Sequence, residues 1–267
     1  MRRIAGLLCV MMFAGAAHAS ALPLWKGLAK GHKLPKPYGA SVDFFEMKQG
    51  YEITALKFSL PGAPAGLTIP SSLVDVNNRV HHHDIKLDAW VLPFVNVFAI
   101  YGQVRANTQV GLSKINLSAL GLPPLDAVNL NYQGSVYGVG TTIAVGGDHW
   151  FAEVTGTATR TSLSGDFAST ESSRSWQPRV GWVANDHWCV WAGAQKIDVK
   201  ENHKGTIILA PNFPPVTFDV SLQQRAAWTP VVGARYNFSD SFDVTAEYGG
   251  GDRHTALVNV EYRFGDN

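Results

Sequence analysis

The sequence predicts an all-β chain closed into an antiparallel transmembrane barrel of about ten strands, and three observations carry that prediction. After the N-terminal apolar run no stretch approaches the roughly 18 consecutive apolar residues of a spanning helix, although 46% of the 267 residues are hydrophobic. From Gly39 onward β-branched and aromatic residues alternate with polar ones at period two, the signature of strands with one apolar face. The connections between these segments alternate between tight and long, as in a barrel with short turns on one side of a membrane and loops on the other.

The N-terminus fits a chain destined for export. Arg2-Arg3, the apolar run Ile4 to Ala17 and the small-x-small triplet Ala17-His18-Ala19 read as a signal peptide cleaved after Ala19. Cys9 leaves with it, so the mature chain keeps Cys189 alone and forms no internal disulfide. The expected organisation is a signal peptide over 1–19, a lead-in over 20–38 with a basic, proline-containing stretch from Lys26 to Pro37, and one barrel over 39–267. A balance of 22 basic against 21 acidic residues gives no electrostatic footprint for nucleic acid.

Ten strands follow from the alternation: 51–60, 84–92, 94–110, 128–145, 149–161, 176–184, 187–199, 216–238, 241–249 and 255–264. A strand in 39–47 paired with one in 67–78 would make twelve, and an even count returns both ends to the same side. In 84–91, Ile85, Leu87, Ala89 and Val91 oppose Asp84, Lys86, Asp88 and Trp90. In 149–159, Trp150, Ala152, Val154 and Ala158 oppose Glu153, Thr155, Thr157 and Thr159. The longest pattern, 216–238, carries Val216, Phe218, Val220, Leu222, Trp228, Val232, Tyr236 and Phe238 on even positions, which predicts one overlong strand with its even positions facing lipid.

Tight turns fall at Pro93, Gly146-Gly147-Asp148, Asn185-Asp186 and Ser239-Asp240, and long connections at 112–127, 162–175 and 201–215. Trp90, Phe94, Trp150, Trp188, Phe238 and Phe242 flank the tight turns and are expected to form the periplasmic aromatic girdle. A second repeat, Trp176-Gln-Pro-Arg-Val-Gly181 and Trp228-Thr-Pro-Val-Val-Gly233, places prolines where a sheet tolerates them only at a bulge or a gap in pairing.

The closing stretch, Thr255 to Phe264, sets Val258, Val260, Tyr262 and Phe264 on one face and Asn259, Glu261 and Arg263 on the other. It resembles the closing strand of Gram-negative outer-membrane β-barrels, with the departure that Gly265, Asp266 and Asn267 follow the aromatic residue. The resemblance implies that Val258, Val260, Tyr262 and Phe264 are read by the barrel-assembly machinery, and that the surroundings are outer-membrane lipid and lipopolysaccharide. The stretch from Asp88 to Gly102 is similar to a hairpin of uncharacterised outer-membrane proteins, some labelled virulence-related, which implies no mechanism.

No catalytic, metal or cofactor site emerges from the residues. His81, His82 and His83 on an extended backbone alternate in direction and suit a solvated loop tip better than a metal. Asp148-His149 and Asp186-His187 resemble the Asp and His of the omptin proteases, but fall at tight turns and not at the outer rim. No Ser faces a His as lipid-cleaving barrels require, and nothing near Cys189 in sequence activates a thiolate. What remains is a set expected to line the lumen: Lys86, Asp88, Arg105, Glu153, Arg179, Arg225, Arg235, Asp243, Glu247, Glu261 and Arg263. In a lumen that narrow these charges are expected to pair across the interior, with a selective passage as the alternative. The tightest hairpin at Ser239-Asp240 sets Asn237 against Ser241, hence Arg235 against Asp243 with Glu247 two pairs further on. The functional expectation is an outer-membrane barrel acting as a narrow pore or a structural surface protein. The competing classes are a barrel enzyme acting on lipid or peptide at the outer rim and a secreted soluble all-β protein.

Overall fold

A computed structural model describes residues 22–29, 34–59, 67–68, 73–114, 126–166, 169–207, 215–225 and 227–266. The expected signal peptide lies outside these residues. The strands are β1 (Tyr38–Ser59), β2 (Leu67–Thr68), β3 (Asp75–Leu92), β4 (Val95–Gly111), β5 (Ala127–Gly146), β6 (Trp150–Gly165), β7 (Ser169–Val183), β8 (Trp188–Ile207), β9 (Val216–Gln224), β10 (Thr229–Ser239), β11 (Phe242–Gly249) and β12 (Arg253–Phe264). All pairings are antiparallel, and the chain closes when β12 pairs with β1 from Tyr38↔Phe264 to Gln49↔Arg253. β2 adds only a two-residue pairing to the outer part of β1.

The ring changes size along its axis. At the end holding both termini it runs β1, β3, β4, β5, β6, β7, β8, β10, β11, β12 and back to β1, ten strands in all. At the far end β9 pairs with β8 through Glu201 to Ile207 and with β1 through Tyr51 to Ser59, so eight strands close the circle. The β11–β12 hairpin turns at Gly250 to Asp252 part-way up and accounts for the two missing strands. The barrel therefore tapers, and an eight-stranded ring leaves an interior that side chains fill.

Several expectations about strands change. The stretches 39–47 and 51–59 are one strand, β1. In the expected long connections 162–165, 169–175 and 201–207 are strand, while 115–125, 167–168 and 208–214 lie outside the described residues. His81, His82 and His83, expected at a loop tip, lie on β3. Beyond the lipid the outer face has no need of apolar residues, so the alternation that marks a strand fades there while the backbone ladder continues. The stretch 216–238 is not one strand: β9 ends at Gln224, β10 begins at Thr229, and the facing reverses between them. Leu222 opposes the buried Ile53 and Val220 packs against the interior cluster, so these two even positions of β9 point inward. In β10 the even positions point outward, as expected, with Val232 57% exposed and Val231 2% exposed.

The outward face carries a continuous apolar belt, with Val42, Phe44, Ile85, Leu87, Val97, Tyr137, Val139, Ile143, Val154, Val180, Val190, Val232 and Val258 all exposed. On β5 it spans Tyr137 to Val145, roughly 26 Å of strand at about 3.3 Å per residue, the height of a transmembrane band. Trp150, Trp182, Trp188, Phe238, Phe242 and Tyr262 rim it near the short turns, and Tyr101, Trp176, Trp228 and Tyr248 rim it on the other side. Trp90 does not join the girdle, because it opposes the buried Asn96 on the inner face.

Arg placed at Val232 is expected to destabilise the barrel by about 2–4 kcal/mol, the cost of a cation at the lipid-facing midplane, measured by denaturant unfolding in lipid. Arg at Leu222 should reduce the heat-modifiable folded band in SDS gels far more than Arg at its exposed neighbour Gln223. Equal effects at 222 and 223 would contradict the inward facing of β9.

Candidate functional site

The inner face carries an apolar cluster in its outer half and most of its ion pairs in its inner half. The outer half is filled by Val104, Ala106, Tyr132 and Leu163, against which Val80, Leu130 and Val220 pack. The Tyr132 hydroxyl meets its polar needs within this cluster, accepting from Asn78 Nδ2 at 3.0 Å and lying 2.9 Å from Thr108 Oγ1. Toward the termini, nine of the residues expected in the lumen do face inward: Lys86, Asp88, Glu153, Arg179, Arg235, Asp243, Glu247, Glu261 and Arg263.

Two do not. Arg105 is exposed and opposes His81 and Gln133, both exposed, so it stands on the outer face above the apolar belt. Its position is odd on a strand whose even positions, among them Val104 and Ala106, are buried. Arg225 lies in the break between β9 and β10, with its side chain against the outward side of Gly50 and its guanidinium 3.8 Å from Asp75. The parity assumed for an unbroken 216–238 strand had placed it inside.

Eight of these nine inward charges gather into three clusters. Glu247 on β11 is the centre of the largest: Arg179 Nε and Trp191 Nε1 each donate to its Oε2 at 2.8 Å, and Gln177 Nε2 donates to Oε1 at 2.5 Å. Arg179 also donates to Glu153 Oε1 at 2.9 Å and lies 5.7 Å from the centre of the Trp191 ring. This cluster joins β6, β7, β8 and β11 across the interior. Gly233 makes it possible: a Cβ there would meet the Trp191 ring at 2.4 Å, so the bare backbone lets the indole lie flat on β10 and reach Glu247.

The second cluster seals the mouth near the termini. Arg263 Nη2 is 3.0 Å from Asp88 Oδ2, its Nη1 donates to Glu261, and its Nε donates to the Lys36 carbonyl at 3.0 Å. Asn96 Nδ2 donates to the same Asp88 oxygen at 2.5 Å, and Lys36 Nζ donates to Ser241 at 2.7 Å. The lead-in thus packs into the mouth, with Pro37 fully buried. The third cluster is Arg235 with Asp243, 3.6 Å apart, and Thr245, whose hydroxyl accepts from Arg235 Nε at 3.3 Å. The register differs from the tightest hairpin. A bulge between Asn237 and Ser239 sets Asn237 against Asp243 and Arg235 against Thr245, so Arg235 reaches Asp243 diagonally. Glu247 opposes Gly233 and pairs with Arg179 across the lumen.

Sequence reasoning missed Gln177, Trp191 and Arg253. Arg253 is 0% exposed. Its Nε donates to Gln49 Oε1 at 2.8 Å and its Nη2 to Gln224 Oε1 at 2.6 Å, so one guanidinium joins β12, β1 and β9 where ten strands become eight. The signal for Trp191 was an inward aromatic whose facing positions on both neighbouring strands are glycines, Gly181 and Gly233. The Asp-His pairs sit at the short turns: His149 stacks on Trp182 and His187 on Tyr236, each with ring centres 5.7 Å apart. Among the described residues no three His, Cys, Asp or Glu side chains are arranged to hold a metal ion.

Trp191→Phe keeps an aromatic ring but removes the indole N–H that donates to Glu247, and is expected to cost about 1–3 kcal/mol. Gly233→Val should be worse, because its side chain collides with the indole. The temperature at which the folded band disappears in SDS gels ranks the two, and the opposite order would contradict the packing.

No family model matches the sequence, and no curated protein matches it significantly. Solved structures align with most of the chain at low similarity. The outer membrane protein OprG from Pseudomonas aeruginosa has 8% identity, with 86% of this chain and 98% of that chain covered and a TM-score of 0.49. The outer membrane protease OmpT from Escherichia coli has 9% identity, 88% and 100% coverage and a TM-score of 0.44. The translocator domain of the autotransporter NalP from Neisseria meningitidis has 9% identity, 97% and 98% coverage and a TM-score of 0.41. With TM-scores below 0.5 these likenesses carry no argument about fold or activity, and the closed antiparallel ring rests on the strand pairings.

Proposed function

We propose that the chain is an integral outer-membrane barrel with a closed lumen, a structural and surface-presenting protein through which solutes pass narrowly if at all. One observation carries this reading: most carboxylates of the inner face are shut away from solvent, while the Arg235 side chain beside Asp243 stays 42% exposed. Asp88 is 8% exposed and Glu247 7%, whereas a water-filled pore would leave such side chains wet. The apolar plug closes the outer half independently. The apolar belt and its two aromatic rims support residence in a bilayer, and the short turns at the end holding the termini support placing that end in the periplasm.

Conductance tests the reading. Single-channel recordings of the intact protein in planar bilayers are expected to show small, infrequent openings. Replacing both Arg179 and Glu247 by Ala should enlarge them, because these two groups span the interior. A wide, steadily open channel in the unmodified protein would falsify the closed-lumen reading.

Export through a signal peptide cleaved after Ala19 and assembly through the terminal strand belong to the same proposal. Val258 and Tyr262 face outward, and Phe264 stacks on Tyr38 of β1 with ring centres 5.7 Å apart, at the point where the ring closes. Replacing Phe264 by Ser, or deleting from Val258 onward, should sharply reduce the heat-modifiable form in outer membranes. Normal assembly of both variants would remove Val258, Val260, Tyr262 and Phe264 as an assembly signal.

A further inference from the structure

Just above the apolar belt, on the outward faces of β12, β1, β3 and β4, the sheet brings together Lys48, Arg79, Arg105, His81, His83 and His254. Lys48 stands directly opposite Arg79 on one side and His254 on the other, and His81 directly opposite Arg105. Like charges directly opposed across a sheet repel. One carboxylate on this patch serves three of these groups: Glu46 lies 3.4 Å from Lys48, 3.8 Å from Arg79 and 4.0 Å from His81. Arg105 takes no part in those contacts. Other carboxylates lie beyond the patch, Glu52 and Asp75 further along the strands and Asp252 at the hairpin tip, and Asp75 is already held by Lys114 at 2.7 Å.

Directly below the patch, two residues along each strand, the same outer face becomes apolar. Phe44 follows Glu46, Ile85 follows His83 and Tyr101 follows Gln103, all three exposed. A ligand covering both rows must be amphiphilic, with acyl chains along Phe44, Ile85 and Tyr101 and an anion among Lys48, Arg79 and Arg105. We propose that this surface binds the phosphorylated headgroup of an outer-leaflet glycolipid. The phosphate accepts from the guanidinium forks of Arg79 and Arg105 and from the Lys48 ammonium, the donor geometry that suits phosphate, and it relieves the opposed cations. This rests on the reading of the chain as an outer-membrane barrel, which the heat-modifiable band reports separately.

The test uses the full chain extracted in mild detergent, with native mass spectrometry of the glycolipid that it retains and binding of lipid A-bearing vesicles. The triple variant Lys48→Gln, Arg79→Gln, Arg105→Gln should remain heat-modifiable and lose retained glycolipid by about tenfold or more. Lys196→Gln, at the outer rim on the other side of the barrel and already 3.3 Å from Asp198, should retain it as the unmodified protein does. Dephosphorylated lipid A should bind the unmodified protein as weakly as phosphorylated lipid A binds the triple variant. Unchanged retention in the triple variant, equal binding of dephosphorylated lipid, or inorganic phosphate binding as tightly as the glycolipid would each overturn the proposal. Should the triple variant not fold, Arg105→Gln alone carries the same comparison, and retention unchanged there overturns it.

Discussion

Closure of β12 on β1 is the constraint on which everything else depends. A sheet in hydrocarbon cannot leave an edge unpaired, so the last strand must find the first, and it does so over its full length, from Tyr38↔Phe264 to Gln49↔Arg253. β1 is longer than β12, and above Gln49 its edge would be bare. β9 covers it from Tyr51 onward, the ladder between β9 and β10 breaks to allow this, and the ring narrows from ten strands to eight. Arg253 sits at the corner so created and hydrogen-bonds to a glutamine from each of the two strands that meet there. The taper, the break between β9 and β10 and the buried guanidinium are thus one solution to one unpaired edge.

Closure also fixes the interior. Ten strands enclose a space that side chains must fill, and a charge carried into it has to be paired or it costs several kcal/mol. The repeat Trp-x-Pro-x-x-Gly shows how the wall is shaped to do this. In each copy the tryptophan points to the outer aromatic rim and the glycine points inward, where Gly181 receives the ring of Phe151 and Gly233 that of Trp191. The prolines fall where a missing N–H does no harm: the β7–β8 ladder skips Gln177 and Pro178, and Pro230 stands just before the β10–β11 ladder begins at Val231. Ring-over-glycine contacts bring the aromatic groups flat against the wall and leave the middle of the lumen to the ion pairs.

Within the lipid the fold was legible in the sequence, because there one face must be apolar and the period of two appears in the residues: the strands of the hairpins around Pro93, Gly147 and Asp240 lie where the alternation puts them. Outside the lipid that rule lapses. Ser162, Ser164, Ser172 and Arg174 sit on strand backbone yet read as loop, since no solvent demands an apolar partner on alternate positions. The same lapse misassigned Arg105 and Arg225. Arg105 looked like an inward charge because charges on a barrel strand are expected inside, but above the belt either face accepts a cation. For Arg225 the error was in continuity. Val220 and Leu222 share the parity of Val232 and Tyr236, and nothing in the residues marks the reversal, because the pattern of a strand burying apolar groups inward is identical to that of one offering them to lipid.

That degeneracy also explains why the site was legible in kind and not in detail. The inward set could be named because polar residues inside an apolar belt have nowhere else to go, and nine of eleven are there. Their partners could not be, because chords across a lumen depend on the stagger between strands far apart in sequence. A bulge between Asn237 and Ser239 slides β11 along β10, taking Asp243 out of direct opposition to Arg235 and setting Glu247 opposite Gly233. From that position the Glu247 carboxylate meets Arg179, Gln177 and Trp191 of β7 and β8. A register one pair tighter would carry Glu247 past Gly233, away from the glycine that makes room for the indole donating to it.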